Sequence, residues 1–501
     1  MAGMYLLGID VGTSGAKAAV IQKDGTLIGL SAQEYPILIP RKGWAEQDPE
    51  EWLAVVSACI LDAMDVAGIS PAEISCIGIA GQMHSLVCLD QQKNPLRPAI
   101  LWADQRSAGQ VKRLSQEIGK ENLALYTGNP LAAGFMMASW AWLCENDPQT
   151  AARTRLLLLP KDYVRFRMTG VVGSEPSDAS STLLFDPHRR EWSPEMLAYA
   201  GLSMEMLPPI HPSEAIAGKL SAEMAASTGL VQGTPVIMGG SDVSLQALAQ
   251  GIINPGTVSC TIGTGGQIFA PLATPRHDPD LRLHLFCHVV PNTWHQEAAI
   301  LTAGLALRWL RDGLWPGETY QILADQASAV EAAVEGLFFL PYLAGERTPH
   351  MDPGLSASFI GLELGHQRPH FIRAVMEGVV FALKHGLGLM ESLGTPIDRL
   401  ILTGGGTRHP LWLQLQADIF NRPVFISEIQ EATARGAAVL AGVGIGVYAN
   451  AADGIVNTVR EPVPGAVPDP SRTMKYQAAF EEYTSLADII THREKFSPIT
   501  A

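Results

Sequence analysis

Basic residues are in short supply. Thirty-five Lys and Arg stand against 50 Asp and Glu, a net charge of −15 in 501 residues. So acidic a chain argues against a nucleic-acid binder, which needs a basic face for phosphates. It does not argue against a nucleotide site, which uses a few local donors and a metal ion. Cysteine is scarce too: Cys59, Cys76, Cys88, Cys144, Cys260 and Cys287 are scattered, with no Cys-x-x-Cys pair. They read as small buried hydrophobes in a reducing compartment rather than a disulfide framework. No uninterrupted apolar run reaches membrane-spanning length, so no membrane partner is expected. The first residues run straight into Met4-Tyr5-Leu6-Leu7-Gly8-Ile9-Asp10 without a basic stretch and a long apolar region. No signal peptide and a cytoplasmic location are therefore expected. The thirteen histidines are not expected to form a zinc site.

What is present is ample core-forming material. Hydrophobic residues make up 47% and charged residues 17% of the chain, and its length calls for two domains. The chain opens as strand, glycine turn, strand, turn, strand. Residues 4–10 are apolar, Gly12 to Gly15 carry turn chemistry, 16–22 resume as a strand, and Asp24-Gly25 turns into Thr26 to Ala32. The pattern recurs later: Val258 to Ile262, a turn at Gly263-Thr264-Gly265-Gly266, and Gln267 to Ala270. Asp10-Val-Gly-Thr-Ser-Gly15 and Thr261-Ile-Gly-Thr-Gly-Gly266 set an apolar residue before Gly-Thr and a glycine two residues after it. Each copy begins one half of the chain, which suggests two related α/β domains. Other strands are expected at 74–80, 156–159, 236–238, 337–340 and 399–402. Long helices are expected at 50–66, announced by Asp48-Pro49-Glu50-Glu51, and at 371–393. A boundary near 245–257 divides an N-terminal domain, 1–250, from a C-terminal domain, 251–450. A tail follows over 451–501, Pro-rich and then helical.

Five segments could carry chemistry. In Asp10-Val-Gly-Thr13-Ser14-Gly15-Ala-Lys17, glycines let backbone N–H groups approach an anion. Thr13 and Ser14 add hydroxyls, Lys17 could contact a phosphate, and Asp10 can hold a metal ion through water. It is not a Walker A loop, because no helix opening with Gly-Lys-Ser/Thr follows. Gly263-Thr264-Gly265 reads as a second phosphate cradle. For each loop an ordinary hairpin turn is the plain alternative, and the pair weakens it. Gly404-Gly405-Gly406, between a strand and a helix over 411–420, allows a flat base to lie on the backbone near a helix N-terminus. In Gly239-Gly240-Ser241-Asp242 a carboxylate ends a strand and could accept a hydroxyl proton, although an N-cap role explains it equally well. Gly81-Gln82-Met83-His84 also ends a strand. Its polar side chains could hydrogen-bond sugar hydroxyls, and Trp102, Asp104 and Arg106 add an aromatic face and charged groups, although a lone histidine is more often structural.

Together these segments resemble the FGGY carbohydrate kinases, over about residues 4–448. The family's C-terminal signature is matched by Ala357-Ser-Phe-Ile-Gly361-Leu362, seven residues, then His370-Phe371-Ile-Arg-Ala374-Val375-Met376-Glu377. Within the family, Gly81 to His84, Leu96 to Trp102, Ser177-Asp178-Ala-Ser, His284 to His288 and Tyr342 to His350 are similar to the xylulokinases. The resemblance implies two actin-like, ribonuclease-H-like ATPase domains of α/β class with a cleft between them. It implies ATP and Mg2+ bound between the domains, a small sugar acceptor such as D-xylulose, and a homodimer. It makes Asp242 the catalytic base and Asp10 important for Mg2+. It puts Met83 and His84 on the sugar, and Thr264, Gly304, Arg308, Gly405 and His409 around the nucleotide. Four positions depart from the pattern. Met136 and Ser139 stand in the N-terminal signature where Pro/Ser/Thr and Lys are usual, Ser85 replaces a glycine, and Val243 replaces an asparagine. Met83-His84-Ser85 and Trp102 to Ser107 are also similar to the family's gluconate kinases, so gluconate, ribulose or another polyol stays open as acceptor. An actin-like ATPase without a sugar substrate is the alternative of a different class.

Overall fold

The computed structural model describes residues 4–333 and 336–491. Along the chain, β1 (Tyr5–Val11), β2 (Gly15–Gln22) and β3 (Leu27–Glu34) precede α1 (Pro49–Ala67) and β4 (Ile74–Gly81). Next come α2 (Pro160–Thr169), α3 (Pro176–Ala179), β5 (Ile216–Lys219), β6 (Pro235–Ile237) and α4 (Asp242–Ala249). The second half has β7 (Gly256–Ile262), β8 (Gly266–Leu272), β9 (Trp294–Ile300), α5 (Gly304–Leu314) and α6 (Tyr320–Ser328). It ends with α7 (Arg368–Ser392), β10 (Ile397–Gly404), α8 (Pro410–Phe420), β11 (Val424–Ile426), α9 (Ala432–Gly444), β12 (Val463–Ala466) and α10 (Pro470–Thr491). Shorter elements connect these.

The chain forms two compact units. One comprises 4–254, 271–295 and 429–460; the other comprises 255–270, 296–428 and 461–491 within the described residues. A single cut at 250 does not describe this grouping, because 429–460 folds back onto the first unit. Helix α9 lies directly on β1 and β4, and glycines make this possible. A Cβ on Gly8 would stand 1.8 Å from the Ala434 carbonyl oxygen, and one on Gly78 1.9 Å from that of Ala437. The expected tail is divided as well, since 451–460 belongs to the first unit and 461–491 to the second.

Each unit is built on a mixed sheet of the same design. In the first, the order is β5-β6-β4-β1-β2-β3; β1 pairs antiparallel with β2 and parallel with β4. In the second, the order is β9-β8-β7-β10-β11-β12; β7 pairs antiparallel with β8 and parallel with β10. Asp10 sits opposite Lys17 and Ala80, and Thr261 sits opposite Gln267 and Thr403. The two glycine hairpins therefore occupy equivalent places. The core of the first sheet is continuous from Leu7, Ile9 and Val11 through Trp52, Val56 and Ile60 to Ile77 and Ile79, all buried. Helix α1 starts as its sequence signals. Asp48 accepts from the Glu50 N–H, Pro49 opens the helix, and Gly68 closes it at φ 62°.

Candidate active site

Hairpin β1–β2 closes with the Gly12 N–H donating to the Gly15 carbonyl at 3.0 Å. Its carbonyls are tied down from behind. Gln47 Nε2 donates to Thr13 O at 2.7 Å, Gln82 Nε2 to Gly12 O at 3.3 Å, and the Tyr35 hydroxyl to Gly12 O. Thr13 Oγ1 accepts from the Trp102 indole at 2.8 Å, while Ser14 is exposed. Lys17 does not stand as an open phosphate contact: its ammonium pairs with Glu431 at 2.5 Å. Asp10 is the last residue but one of β1, and its buried Oδ1 has no hydrogen-bond partner among the described residues. Burial pushes its carboxyl up to about 6, Lys17 pulls it down, and Glu431 adds to the rise. Magnesium usually keeps several waters and takes one or two carboxylates plus substrate phosphates. A partnerless hard oxygen beside an anion-accommodating turn fits that demand.

Two strand ends of the same unit carry the expected acceptor groups. Gly240-Ser241 pairs with Ala80-Gly81 of β4, which sets Asp242 beside the segment leading to Met83 and His84. The turn requires glycine. Gly239 has φ +82°, and a Cβ there would lie 1.9 Å from the Ile79 carbonyl oxygen. Ser241, not Asp242, caps α4 through its hydroxyl, and Asp242 is the first helical residue. The capping explanation for Asp242 thus falls to its neighbour. Asp242 Oδ1 accepts from the Val243 N–H at 2.8 Å.

His84 takes a left-handed backbone at φ 70°. Its N–H donates to Ser181 Oγ at 3.1 Å, and its Nδ1 donates to the Ser181 carbonyl at 2.8 Å, since a carbonyl only accepts. The imidazole stacks on Phe135, with centroids 3.8 Å apart and planes 12° from parallel. Met83 is buried. Asp104 is already committed. Its carboxylate takes Nε and Nη2 of Arg106 between 2.7 and 2.9 Å and the Ala45 N–H at 2.6 Å. Arg106 lies 3.6 Å from the Trp44 ring centroid and pairs with Glu46 at 2.7 Å. These contacts tie Asp104, Arg106, Glu46 and the chain around Ala45 into one buried cluster. Ser85, the residue in a glycine's place, is buried and accepts from the Trp102 N–H at 3.1 Å.

The second unit gathers most of the expected nucleotide residues. Gly263, Thr264, Gly304, Arg308, Gly405 and His409 line one cavity of about 260 Å³. Small-ligand sites begin near about 300 Å³. The walls are knitted by backbone. Gly304 N–H donates to Gly263 O at 2.8 Å, and the N–H groups of Ala303 and Leu305 both donate to Thr264 O at 3.0 Å. Arg308 follows one turn later on α5. His409 caps α8, its Nδ1 accepting from the Leu411 N–H at 3.0 Å while Nε2 donates to Asp325 at 3.1 Å. Gly265 and Gly404 adjoin the cavity without lining it: Gly265 O accepts from the Gly263 N–H at 2.9 Å, and Gly404 turns at φ 77°. The sequence reading missed Tyr320 and Ala324 on α6 and Trp412 on α8, which complete an apolar wall. A tryptophan two residues into the helix after three glycines was a usable signal; α6 carries none.

The histidines contain two His-x-x-x-His spacings, His284/His288 and His366/His370. Burial pushes His288 down to about 3 and His295 well below the usual range. Among the described residues there is no group of three or more His, Cys, Asp or Glu that could hold a metal ion, and no helix long and apolar enough to cross a membrane.

The sequence matches the N-terminal domain of the FGGY family of carbohydrate kinases over residues 5–249 and its C-terminal domain over 258–445. The chain belongs to that family, and it is an ATP-dependent carbohydrate kinase of the actin-like ATPase fold. Among its relatives, a xylulose kinase from Bacillus subtilis is 35% identical over 482 residues, 96% of either chain. A solved xylulose kinase from Rhodospirillum rubrum superposes with a TM-score of 0.90 at 29% identity, covering 98% of this chain and 100% of the other. A solved gluconate kinase from Lactobacillus acidophilus gives 0.92 at 25% identity, covering 98% and 99%.

Proposed function

We propose that the chain transfers the γ-phosphoryl group of ATP to D-xylulose, forming D-xylulose 5-phosphate. The observation that carries the choice of sugar is the full-length likeness to a xylulose kinase at 35% identity. Gluconate is the runner-up, favoured by Met83-His84-Ser85 and by the likeness to a gluconate kinase. The burial of Ser85 against Trp102 weakens that case, because the residue departing from the xylulokinase pattern serves the local fold.

In this reading the cavity lined by Gly263, Thr264, Gly304, Arg308, Gly405 and His409 takes the nucleotide, with adenine toward Tyr320 and Trp412. Thr13, Ser14 and the turn at 263–265 serve the phosphates. Asp10 would hold Mg2+ through water, and the ion would neutralise phosphate charge. Met83 and His84 hold the sugar. The Ser181 carbonyl holds the His84 proton on Nδ1 and so sets the ring's orientation toward the sugar. Asp242 orients the attacking hydroxyl and accepts its proton as the new O–P bond forms, a role that needs position more than a strong base. Asp104 acts indirectly, by holding Arg106 and the chain around Ala45.

A coupled ADP-release assay across D-xylulose, gluconate, D-ribulose and glycerol tests the reading. D-xylulose should give the highest kcat/KM. A preference for gluconate by tenfold or more would replace xylulose as the acceptor, and ATP turnover indifferent to every sugar would remove the kinase reading.

A further inference from the structure

The motif Ser177-Asp178-Ala179-Ser180 has no part in the proposed chemistry, yet the residues from Glu175 to Thr182 are all buried. The segment is a tight turn that bonds to itself. Both oxygens of Glu175 accept from the Ser177 and Asp178 N–H groups and the Ser177 hydroxyl at 2.8–2.9 Å. Ser181 Oγ donates to Asp178 O at 2.7 Å. Among the bonds that leave this turn, those to Ser241 and His84 lead to the proposed acceptor groups. Ser177 Oγ accepts from the Ser241 N–H at 2.9 Å, one residue before Asp242. Ser181 takes both the N–H and Nδ1 of His84, which fixes a strained backbone and the orientation of the ring.

The turn is itself anchored from below. Lys161, wholly buried on α2, lies 2.7 Å from Asp162, 3.5 Å from Glu175 and 3.6 Å from Asp178. Arg165 joins Asp162 at 2.8 Å and donates to the Met238 carbonyl at 2.9 Å, at the start of the glycine turn that carries Asp242. Two buried cations thus face three buried carboxyls. Burial pushes Asp178 well above the usual carboxylate range; Lys161 pulls against this, and Asp162, Glu175 and Asp242 add to it.

We propose that the turn 175–182 is a positioning element of the transfer reaction, with Ser177 setting the place of Asp242 and Ser181 setting that of His84. The inference rests on the reading that Asp242 and His84 serve the sugar. A turn needed only for stability would leave kcat and KM alone, or lower activity in step with folding. A positioning turn makes the two serines separable. Ser177→Ala leaves the Ser241 N–H without its acceptor, and should lower kcat about tenfold while the sugar KM stays within about threefold. Ser181→Ala leaves the His84 N–H without its hydroxyl acceptor, while the carbonyl bond to Nδ1 remains, and by loosening the left-handed backbone at His84 should raise the sugar KM about tenfold while kcat stays within about threefold. The KM for ATP should not move in either.

The experiment is steady-state kinetics on the whole chain with D-xylulose, alongside thermal melting of each variant. Ser193→Ala, which removes an N-cap elsewhere in the unit, is the comparison for stability loss alone. Asp242→Asn shows whether the underlying reading holds. If the wild type turns over sugar and Asp242→Asn does not, the split between Ser177→Ala and Ser181→Ala supports the proposal. If under those conditions both serine variants keep wild-type kcat and KM, or lose activity only as Ser193→Ala does, the proposal is overturned and the kinase reading stands. No sugar-dependent turnover in the wild type overturns both.

Discussion

Gly304 offers the sharpest test of where ATP sits. It opens α5, and an added Cβ would fall 2.5 Å from the Gly263 carbonyl oxygen. Real Cβ contacts stay above about 3 Å, so Gly304→Ala must push α5 and the 263–265 turn apart by about half an ångström. Both sides of that contact are backbone, so no side chain can swing away. The displaced groups hold three hydrogen bonds, from Ala303, Gly304 and Leu305 to the carbonyls of Gly263 and Thr264. At about 1 kcal/mol each, losing one or two of them weakens the cavity by about 1–2 kcal/mol, or about five- to thirtyfold in nucleotide affinity. Calorimetric titration with a non-hydrolysable ATP analogue should show that loss. The sugar KM should change by less than about threefold, since the sugar groups belong to the other unit. Wild-type affinity for the analogue in a folded Gly304→Ala protein would refute the placement of the nucleotide against this turn.

Two further outcomes follow from buried charges. Asp104→Asn strips one partner from a buried bidentate pair and should cost about 3–5 kcal/mol, seen as a large fall in melting temperature; a change in sugar KM without any loss of stability would make Asp104 a sugar ligand instead. Glu346, whose Oε1 accepts from the Leu301 and Arg347 N–H groups at 2.8 Å while Oε2 has no hydrogen-bond partner among the described residues, is pushed by burial from an ordinary 4.5 up to about 8. Its folded form therefore holds a proton that the unfolded form has released between those two values, so stability should fall as pH rises from about 4.5 to about 8 and level off on either side. Denaturant melts across that range should show the decline, and Glu346→Gln should flatten it; an unchanged slope would mean that Glu346 is already ionised.

Much of this architecture was legible in the sequence because it depends on short-range chemistry. The hairpins at 12–15 and 263–265 announce themselves through glycines between β-branched runs, and α1 through Asp48-Pro49-Glu50-Glu51. The duplication was legible because equivalent hairpins begin both sheets. Gly263, Thr264, Gly304, Arg308, Gly405 and His409, from three distant stretches, line one cavity; the glycine turn pointed to the first of them and the family resemblance to the other five. What the sequence did not yield was side-chain commitment. Lys17 meets Glu431 from 414 residues away, and nothing local to either residue marks the pair. Asp104 faced a nearby arginine, but only burial decides whether such a pair is structural. The cap at α4 lay one residue from where it was sought, and helix ends are ambiguous at that scale. The return of 429–460 to the first unit depends on Gly8 and Gly78 presenting bare backbone to α9. A glycine inside a strand signals a close approach without naming the partner.

In the proposed reaction Asp242 accepts a proton from a sugar hydroxyl. The direct measurement is kcat for D-xylulose phosphorylation in wild type and Asp242→Asn, with ATP-analogue affinity measured on both. We expect kcat to fall about a hundredfold or more while the analogue binds as in wild type. An Asp242→Asn enzyme within tenfold of wild-type turnover would contradict it.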